Sequence, residues 1–491
     1  MSMTKRYGTP VHVAFVIACL ALFSASSSAQ FKEDALRLAL PGIGAGARAL
    51  GLGDAYTGVA NDYSALFWNP AGLAQIQNTE ASFGLSHVNG SNQGTLFSNQ
   101  RSYSNNSTNV NTAGFAYPVP VRRGNFVIAF GFSRQANFSS GLQFSGFNPS
   151  SSIIQYYSPD GQFYPSDFTL PEFLALAAAD TVTGRFVSPI TGNLTQSGTV
   201  TESGGLNNWS AAAAADVTQD ISLGVTLTGI SGSYRYDRAY REQDLAGHYT
   251  NFSVPVDGVN QLFDISEVDI NDFIEGDISG FNAKFGFMYR VPDRFRLGLA
   301  IKTPTWYHVT ENYGTSATSF FHNGDVLPAD GPYQTTGSDE YDVHTPWVFS
   351  AGASVMLQDL MLTGSVDLTD WTQLEFANAT PVVMEENQII KTAFTTTADL
   401  GAGAEYTLPG PGLRLRAGYM FRPSPYKNDP SSYDRNYVTG GLGIPLGGST
   451  MLDLAYAHGW WKTEVLNYAG GSTTLEKIAT NNILMTFAFR F

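Results

Sequence analysis

A two-residue alternation of apolar and polar side chains constrains this sequence more than any other feature. It is clearest in the segment 480–491, where one face is apolar and the opposite face is mostly polar. The apolar face carries Ile483, Met485, Phe487, Phe489 and Phe491. A period of two predicts a β-strand whose two faces lie in different environments.

The alternation recurs in the segments 277–291, 294–309 and 412–422, where the polar face carries positive charge. Lys284, Lys302 and Arg416 each stand in mid-strand and oppose a face of aromatic and aliphatic side chains. This repeated arrangement fits a wet lumen and a lipid-facing exterior better than two sheets that share a dry core. The pattern therefore predicts an all-β, antiparallel transmembrane barrel.

The composition favours the same fold. Only 14 % of the 491 residues are charged, against about 25 % in soluble globular proteins, and aromatic residues reach 13 %. Beyond the N-terminus, no run of about 18 apolar residues offers a transmembrane helix. The net charge of −15 disfavours nucleic acid as a partner, because contact with phosphates needs a basic surface.

The alternating segments number fourteen, an even number that places both chain termini on the periplasmic side. They are 80–90, 109–119, 124–136, 208–218, 220–234, 277–291, 294–309, 342–357, 360–373, 389–407, 412–422, 433–445, 449–461 and 480–491. Short turns alternate with long connections, as antiparallel membrane strands require. The long connections, expected outside the cell, are 91–108, 137–207, 235–276, 310–341, 374–388, 423–432 and 462–479.

The first 29 residues are typical of a secretory signal peptide. Basic residues precede an apolar run over 11–23, and the small residues Ser27 and Ala29 fit a cut before Gln30. A lipoprotein signal at Cys19 is the alternative, disfavoured because the apolar run continues past that residue. Cys19 is the only cysteine in the sequence, so we expect the mature chain to form no disulfide or thiolate metal site.

Residues 30–78 do not alternate. They are rich in glycine and other small residues and predict a plug inside a barrel formed by residues 79–491. Within them, residues 46–74 read GARALGLGDAYTGVANDYSALFWNPAGLA, which resembles the N-terminal hatch of the FadL/TodX family of outer-membrane transporters. The residues that carry the resemblance are Gly51, Gly53, Asp62, Asn69, Pro70 and Ala71.

The resemblance implies a 14-stranded barrel in the cell outer membrane, plugged by the hatch and surrounded by membrane lipid. It implies passive transport of a hydrophobic small molecule, a long-chain fatty acid or a hydrocarbon, captured outside the cell and released after a hatch movement. We expect a monomer. PorV-type barrels of a protein-secretion system share a similar stretch over 68–71, so a protein-interaction barrel is the rival function.

Two long connections offer an apolar capture site. A helix capping box at 169–172 precedes an apolar stripe, which predicts either a lid helix that binds ligand or an ordinary helix on the barrel rim. The candidate ligand contacts are Phe168, Leu170, Phe173 and Leu174 in one connection and Leu262 and Phe263 in the other. Lys284 and Lys302, deeper in the lumen, are placed to bind a ligand carboxylate.

Charged residues cluster in two further places. The connection 235–276 is acidic, does not fit an EF-hand, and predicts a solvated face. Inward-facing arginines beside the short turns are Arg290, Arg294, Arg296, Arg414 and Arg416. We expect them to form a ring that pairs with hatch carboxylates such as Asp54 and Asp62.

Signals for catalysis are poor. The histidines beyond the signal peptide show no metal-ligand spacing, and the chain has no Gly-x-Ser-x-Gly elbow or phosphate-binding loop. We therefore predict no enzyme activity, no cofactor and no metal site, with a catalytic triad at the barrel mouth as the alternative.

Overall fold

The computed structural model describes residues 31–155, 162–163, 174–180, 185–256, 258–447, 449–468 and 470–491. The strands of its barrel are β1 (Glu80–Leu96), β2 (Asn99–Val119), β3 (Phe126–Asn137 and Ser140–Asn148), β4 (Leu194–Asp216), β5 (Ile221–Gln243), β6 (Ile265–Val291), β7 (Phe295–Lys302 and Trp306–Phe321), β8 (Tyr333–His344 and Val348–Leu357), β9 (Leu360–Asp370 and Glu375–Ala377), β10 (Thr396–Thr407), β11 (Arg414–Arg422), β12 (Arg435–Pro445), β13 (Thr450–Leu466) and β14 (Thr473–Arg490).

Four helices accompany the barrel in the described ranges: α1 (Lys32–Ala39), α2 (Ala47–Gly51), α3 (Ala65–Trp68) and α4 (Pro381–Ala393). None of them is long and apolar enough to cross a membrane. Single 3-10 turns occupy Pro70–Gln75, Ile153–Gln155, Trp371–Gln373 and Ser431–Tyr433. Short strands outside the wall are Gln162–Phe163, Ala178–Asp180, Arg185–Val187, Ser253–Val256, Val259–Leu262 and Val326–Leu327.

The fourteen strands close into a barrel. Each strand pairs antiparallel with the next, and β14 returns to β1 in an unbroken register from Glu80↔Arg490 to Thr95↔Leu475. Residues 31–78 fill the lumen as a hatch, with α2 packed on β12, β13 and β14. The predicted all-β barrel with an N-terminal hatch is therefore confirmed.

The outer face of the barrel is apolar, as the alternation predicts. Leu227 is 62 % exposed and Phe281 is 60 % exposed, whereas the inward-facing Thr226 is 2 % exposed. On β14, Ile483 faces outward and its neighbour Leu484 is fully buried. A continuous band of exposed apolar side chains is stable against lipid rather than water.

Most of the predicted external connections are in fact strand. β1 and β2 run on to a tight turn at Phe97 and Ser98, both with positive φ, inside the predicted connection 91–108. β5 and β6 likewise extend into the predicted connection 235–276. Outside the membrane neither face of a strand has to be apolar. The Ser- and Asn-rich ends of β1 and β2 and the charged ends of β5 and β6 therefore lack the membrane pattern, although the backbone ladder continues.

A helix replaces the start of one predicted strand. α4 occupies residues 381–393, where the sequence analysis places a connection over 374–388 and a strand over 389–407. Pro381 lies in the first turn, and the buried Val383 and Ile390 lie two turns apart, a spacing that puts both on one helix face. The adjacent pair of isoleucines favours a strand only locally.

The wall is interrupted at neighbouring positions in three adjacent strands. β7 breaks at residues 303–305 and β8 at 345–347, where Pro304 and Pro346 supply no N–H donor. Across the break, Thr305 N donates to the Thr345 hydroxyl at 2.8 Å. In β9 the break is the 3-10 turn at Trp371. Thr345, Pro346 and Trp371 face the lumen at the site described next.

Candidate functional site

The hatch backbone lies directly against the barrel wall. Gly53 has a φ of +63°, and a Cβ atom on this residue would lie 2.6 Å from Tyr419 N. Conversely, a Cβ atom on Gly418 of β11 would lie 2.4 Å from Gly53 N. Gly51, at the end of α2, makes a similar approach to β12. Contacts this close leave no room for side chains, so this part of the hatch is seated backbone to backbone.

Asn69 ties the hatch to a second part of the wall. The side chain is fully buried, and its amide group donates to Thr57 O at 3.0 Å and to Phe287 O of β6 at 3.1 Å. Its Oδ1 accepts a hydrogen bond from Ala71 N at 3.2 Å, and Pro70 starts the 3-10 turn that follows. The Asn69-Pro70-Ala71 motif thus acts as an anchored turn.

Buried ion pairs also join the hatch to the wall. Arg48 Nη2 lies 2.8 Å from Glu405 Oε1, and Arg422 Nη2 lies 2.9 Å from Asp54 Oδ2. Asp62 stays within the hatch, where it accepts the hydroxyl groups of Tyr56 at 2.5 Å and Ser64 at 2.6 Å. Removing one member of such a pair leaves a buried charge uncompensated.

The predicted arginine ring does not hold the hatch carboxylates. Arg416 pairs with Glu405 and Asp453, both on the wall, at 2.6 Å each, and Arg290 pairs with Asp216. Glu405 and Arg416 are direct cross-strand neighbours on β10 and β11, so the wall supplies partners closer than any in the hatch. Arg416 acts on the hatch only through Glu405, which it shares with Arg48.

A cavity of about 160 Å³ lies between the hatch and the wall. The hatch contributes Asp54, Phe67 and Trp68 to its lining, and the breaks in the wall contribute Thr345, Pro346 and Trp371. Lys284 and Lys302 line this cavity, as expected from their lumen-facing positions. The predicted hatch residues Asp62, Asn69, Pro70 and Ala71 do not line it.

The two lysines of the cavity are direct cross-strand neighbours on β6 and β7. Lys284 Nζ donates to Phe67 O of the hatch. Neither ammonium group lies within ion-pair distance of a carboxylate in the described ranges. Like charges directly opposite each other destabilise a sheet, so the pair is costly unless something anionic binds there.

Carboxylates line the same cavity from strands β9 and β10, which β8 separates from the strands of the lysines. Asp367 and Asp399 are direct cross-strand neighbours on β9 and β10, and both line the cavity together with Asp54. Burial raises the pKa of Asp54 to about 7 despite the neighbouring Arg422 guanidinium. The lining is therefore polar at its charged ends and partly apolar elsewhere. Its larger apolar side chains are Leu40, Leu66, Phe67, Trp68, Val348, Trp371, Leu400 and Met420.

An apolar cluster adjoins the cavity and contains the N-terminal helix of the hatch. Ala35, Leu36 and Leu38 of α1 are buried there among wall aromatic residues and the α4 side chains Val383 and Ile390. Lys32 N donates to Glu386 of α4 at 3.1 Å. The aromatic members of the cluster are Phe138, Tyr234, Tyr307, Tyr341, Trp371, Phe376 and Phe394. α1 and α4 together cover the lumen next to the cavity.

The predicted capture site is only partly described. Phe168, Leu170 and Phe173 lie outside the described residues. Leu174 is buried in an apolar cluster. Phe263 is 1 % exposed, whereas Leu262 is 49 % exposed. The described end of the predicted lid helix, residues 174–177, forms a turn and a bend rather than a helix. None of the described residues of this group lines the lumen cavity.

The acidic connection forms a cross-strand ladder of ion pairs that stays partly solvated, since the side chains of Arg235 and Glu275 are 53 % and 48 % exposed. Arg241 of β5 lies 2.6 Å from Asp269 of β6, and Arg235 pairs with Glu275. Arg238 lies 2.5 Å from Asp272. The prediction did not include these arginines. They lie opposite the acidic residues only because β5 and β6 extend beyond the segments in which apolar and polar residues alternate.

Sequence reasoning missed the residues that fasten the hatch and the acidic side of the cavity. Asp399, Gly401, Gly403 and Glu405 alternate with apolar residues in β10 and form its inward face. That period of two, with acids at both ends and glycine between, was the available signal. Among the described residues no group of three His, Asp or Glu side chains is arranged to hold a metal ion.

Comparison with known proteins decides the family. The family described as outer membrane protein transport protein (OMPP1/FadL/TodX) matches residues 199–488, which is more than half of the chain. The chain belongs to this family. Proteins of the FadL/TodX family are outer-membrane transporters of hydrophobic compounds and not enzymes, and this protein is accordingly an outer-membrane barrel. A search of curated protein sequences finds no match.

Solved structures of FadL/TodX proteins share the fold at low sequence identity. A Pseudomonas aeruginosa FadL homologue is 15 % identical, covers 92 % of this chain and 99 % of its own, and superposes with a TM-score of 0.58. The P. putida toluene transporter TodX is 13 % identical, covers 91 % and 99 %, and gives a TM-score of 0.56. The CymD monoaromatic hydrocarbon channel is also 13 % identical, covers 91 % and 98 %, and gives a TM-score of 0.50.

Proposed function

We propose that this barrel takes up a hydrophobic compound that ends in an acidic group, of the long-chain fatty acid kind rather than a hydrocarbon. The observation that carries the proposal is the pair Lys284 and Lys302. These residues are direct cross-strand neighbours and both side chains line the same cavity. A ligand carboxylate relieves their repulsion and gains charge-assisted hydrogen bonds of about 1.5–3 kcal/mol. A hydrocarbon leaves both charges unpaired.

The proposed route follows the apolar surfaces of the molecule. Exposed apolar groups on the extracellular hairpin, among them Leu262, collect the ligand at the mouth. Phe168, Leu170 and Phe173 take part in this capture under the proposal. The ligand then replaces apolar contacts of α1 beneath α4 and enters the cavity. A shift of the hatch, residues 30–78, within the barrel of residues 79–491 releases it, and the compound leaves unchanged.

Uptake by proteoliposomes tests this function. Vesicles that carry the protein should take up labelled oleate faster than empty vesicles, and Lys302→Gln should lower that uptake about tenfold or more. Lys391→Gln, on the exposed face of α4, removes the same charge away from the lumen and should leave uptake unchanged. Oleate uptake that is equal with and without the protein would refute the function.

A further inference from the structure

The acidic side of the cavity carries hydrogen-bond acceptors without donors. Asp54 Oδ1 and Asp367 Oδ1 are buried, and neither accepts a hydrogen bond within the part of the chain that the structure describes. Asn208, which is 6 % exposed, has an unpartnered Oδ1 as well. All three residues line the one cavity. Buried oxygen atoms are normally satisfied, so this cavity has three acceptors that await a donor.

The surrounding cations do not supply that donor. Arg422 bonds the other oxygen of Asp54 at 2.9 Å and lies 3.9 Å from Asp399. The lysines lie beyond ion-pair distance of all three carboxylates. Asp367 and Asp399 thus remain a like-charge pair directly opposite each other, an arrangement that costs stability and that folding alone does not require.

We propose that this acidic side binds a hydroxyl group of the transported compound. The compound is then a hydrophobic carboxylic acid that also carries a hydroxyl. Its carboxylate contacts Lys284 and Lys302, and its hydroxyl donates to Asp367, because an ionised carboxylate only accepts hydrogen bonds. The inference rests on the proposed function for the lysine side and adds the second recognition element.

The charge balance of the lining favours a hydroxyl over an ammonium group. Asp367 and Asp399 face Lys284, Lys302 and Arg422, so the negative charges of the lining do not outnumber the positive ones and the cavity as a whole does not attract a cation. A neutral donor satisfies the orphaned oxygens without adding charge. A ligand that carries one carboxylate as its only charge then binds the lysine pair with that group.

The volume of the cavity sets the size of a useful probe. A cavity of about 150 Å³ elsewhere accommodates benzene, and this one measures about 160 Å³. A single aromatic ring therefore fits between the two charged sides, and Phe67, Trp68 and Trp371 offer it apolar contacts. The two tryptophans also give a fluorescence signal for binding.

Five single-ring probes separate the two recognition elements: 4-hydroxybenzoate, benzoate, phenol, toluene and 4-(aminomethyl)benzoate. We expect the wild-type protein, titrated by tryptophan fluorescence, to bind 4-hydroxybenzoate at least tenfold more tightly than benzoate, and benzoate more tightly than toluene. Asp367→Leu should abolish the preference for the hydroxyl while benzoate binding persists. Asp359→Leu, in the exposed periplasmic turn, is the matched control and should change neither affinity. Heat-modifiable gel mobility reports whether each variant folds.

The outcomes separate the inference from the function beneath it. Equal affinity for 4-hydroxybenzoate and benzoate in the wild-type protein would mean that water satisfies the carboxylates, and would overturn the hydroxyl site while leaving the lysine site intact. Tighter binding of 4-(aminomethyl)benzoate than of 4-hydroxybenzoate would replace the hydroxyl by an ammonium group. The proposed function itself would be refuted if neither acid binds more tightly than toluene and if Lys302→Gln leaves the affinities unchanged.

Discussion

Two parts of the hatch are held to the barrel in different ways. Residues 46–76 are seated by backbone contact at Gly53, by the buried amide of Asn69 and by the ion pair between Arg48 and Glu405. α1 is held by three apolar side chains and a few polar contacts beneath α4. The first kind of contact depends on an exact fit of main chains. The apolar contacts of α1 can be replaced by another apolar group, whereas Arg37 of α1, 3.6 Å from Glu202 and 4.0 Å from the Tyr234 ring, adds one polar contact with the wall.

The difference assigns separate tasks to the two parts. A buried leucine contributes about 1.5–3 kcal/mol, so a ligand with comparable apolar surface can compete with Leu36 and Leu38 for the cluster around α4. No hydrophobic ligand can replace hydrogen bonds and ion pairs between hatch and wall. We therefore expect α1 to yield first and residues 46–76 to remain as the permanent block, a difference in local stability within one segment.

The largest effect should come from deletions that separate the two parts. Removing residues 30–78 should open the barrel and raise its single-channel conductance strongly in planar bilayers, since no block remains. Removing only residues 30–40 should leave conductance low, because the seated part still fills the lumen. If the short deletion conducts as well as the long one, the comparison between the two parts fails.

A large but smaller effect is expected from Glu405→Gln. Glu405 lies between Arg48 and Arg416, and breaking a buried pair costs about 3–5 kcal/mol. Hydrogen exchange should rise across residues 46–76 while α1 and the wall strands change little. Glu340→Gln is the control, since Glu340 is exposed and pairs only with His308 among the described residues. Unaltered exchange in Glu405→Gln would show that glycine contacts alone hold the seat.

The sequence predicted the barrel because lipid imposes a periodic pattern. Wherever a strand crosses the membrane its outer face must be apolar, so strand number and the inward position of Lys284 and Lys302 follow from counting. The hatch motif likewise indicated the family from a short local stretch of sequence. Beyond the membrane this constraint ends, and the extents of β1, β2, β5 and β6 were therefore underestimated.

The acidic half of the site depends on register, which a single strand does not reveal. Asp367 and Asp399 become neighbours only when β9 and β10 pair, and Glu405 meets Arg416 only across β10 and β11. The predicted pairing of the arginines with Asp54 and Asp62 was wrong for this reason. Similarly, α4 meets α1 through long-range packing, and nothing local to residues 381–393 identifies that partner.

The substitution Leu36→Ala tests the comparison at α1, the part of the hatch that is held by apolar contacts. The substitution removes part of the apolar contact of α1 and should cost about 2–3 kcal/mol at a site that can relax. Exchange should rise in residues 32–39 alone, and apolar ligands should bind more readily because their competitor is weakened. Leu446→Ala, on an exposed side chain in a short turn, is the control. Faster exchange throughout residues 46–76 would mean that the two parts move as one unit.

The smallest expected effect is a pH dependence of the stability with which residues 46–76 are held against the wall. This dependence comes from the titration of Asp54. The pKa of this carboxyl is raised by burial from its usual value of 3.8 to about 7, so the seated hatch holds a proton that a displaced, solvated Asp54 gives up between about pH 4 and 7. Stability falls as pH rises wherever the native state binds more protons. Residues 46–76 should thus be held most stably near pH 4, less stably up to about pH 7, and with no further change above it.

Because Asp54 keeps part of its burial when the hatch only shifts, the equilibrium constant for displacing residues 46–76 should change well under tenfold per pH unit. Exchange of residues 46–76, corrected for its intrinsic pH dependence, measures this, and Asp54→Asn should make it flat. A seat that instead tightens toward pH 7 would show that the ion pair with Arg422, and not the burial of the carboxyl, dominates at this position.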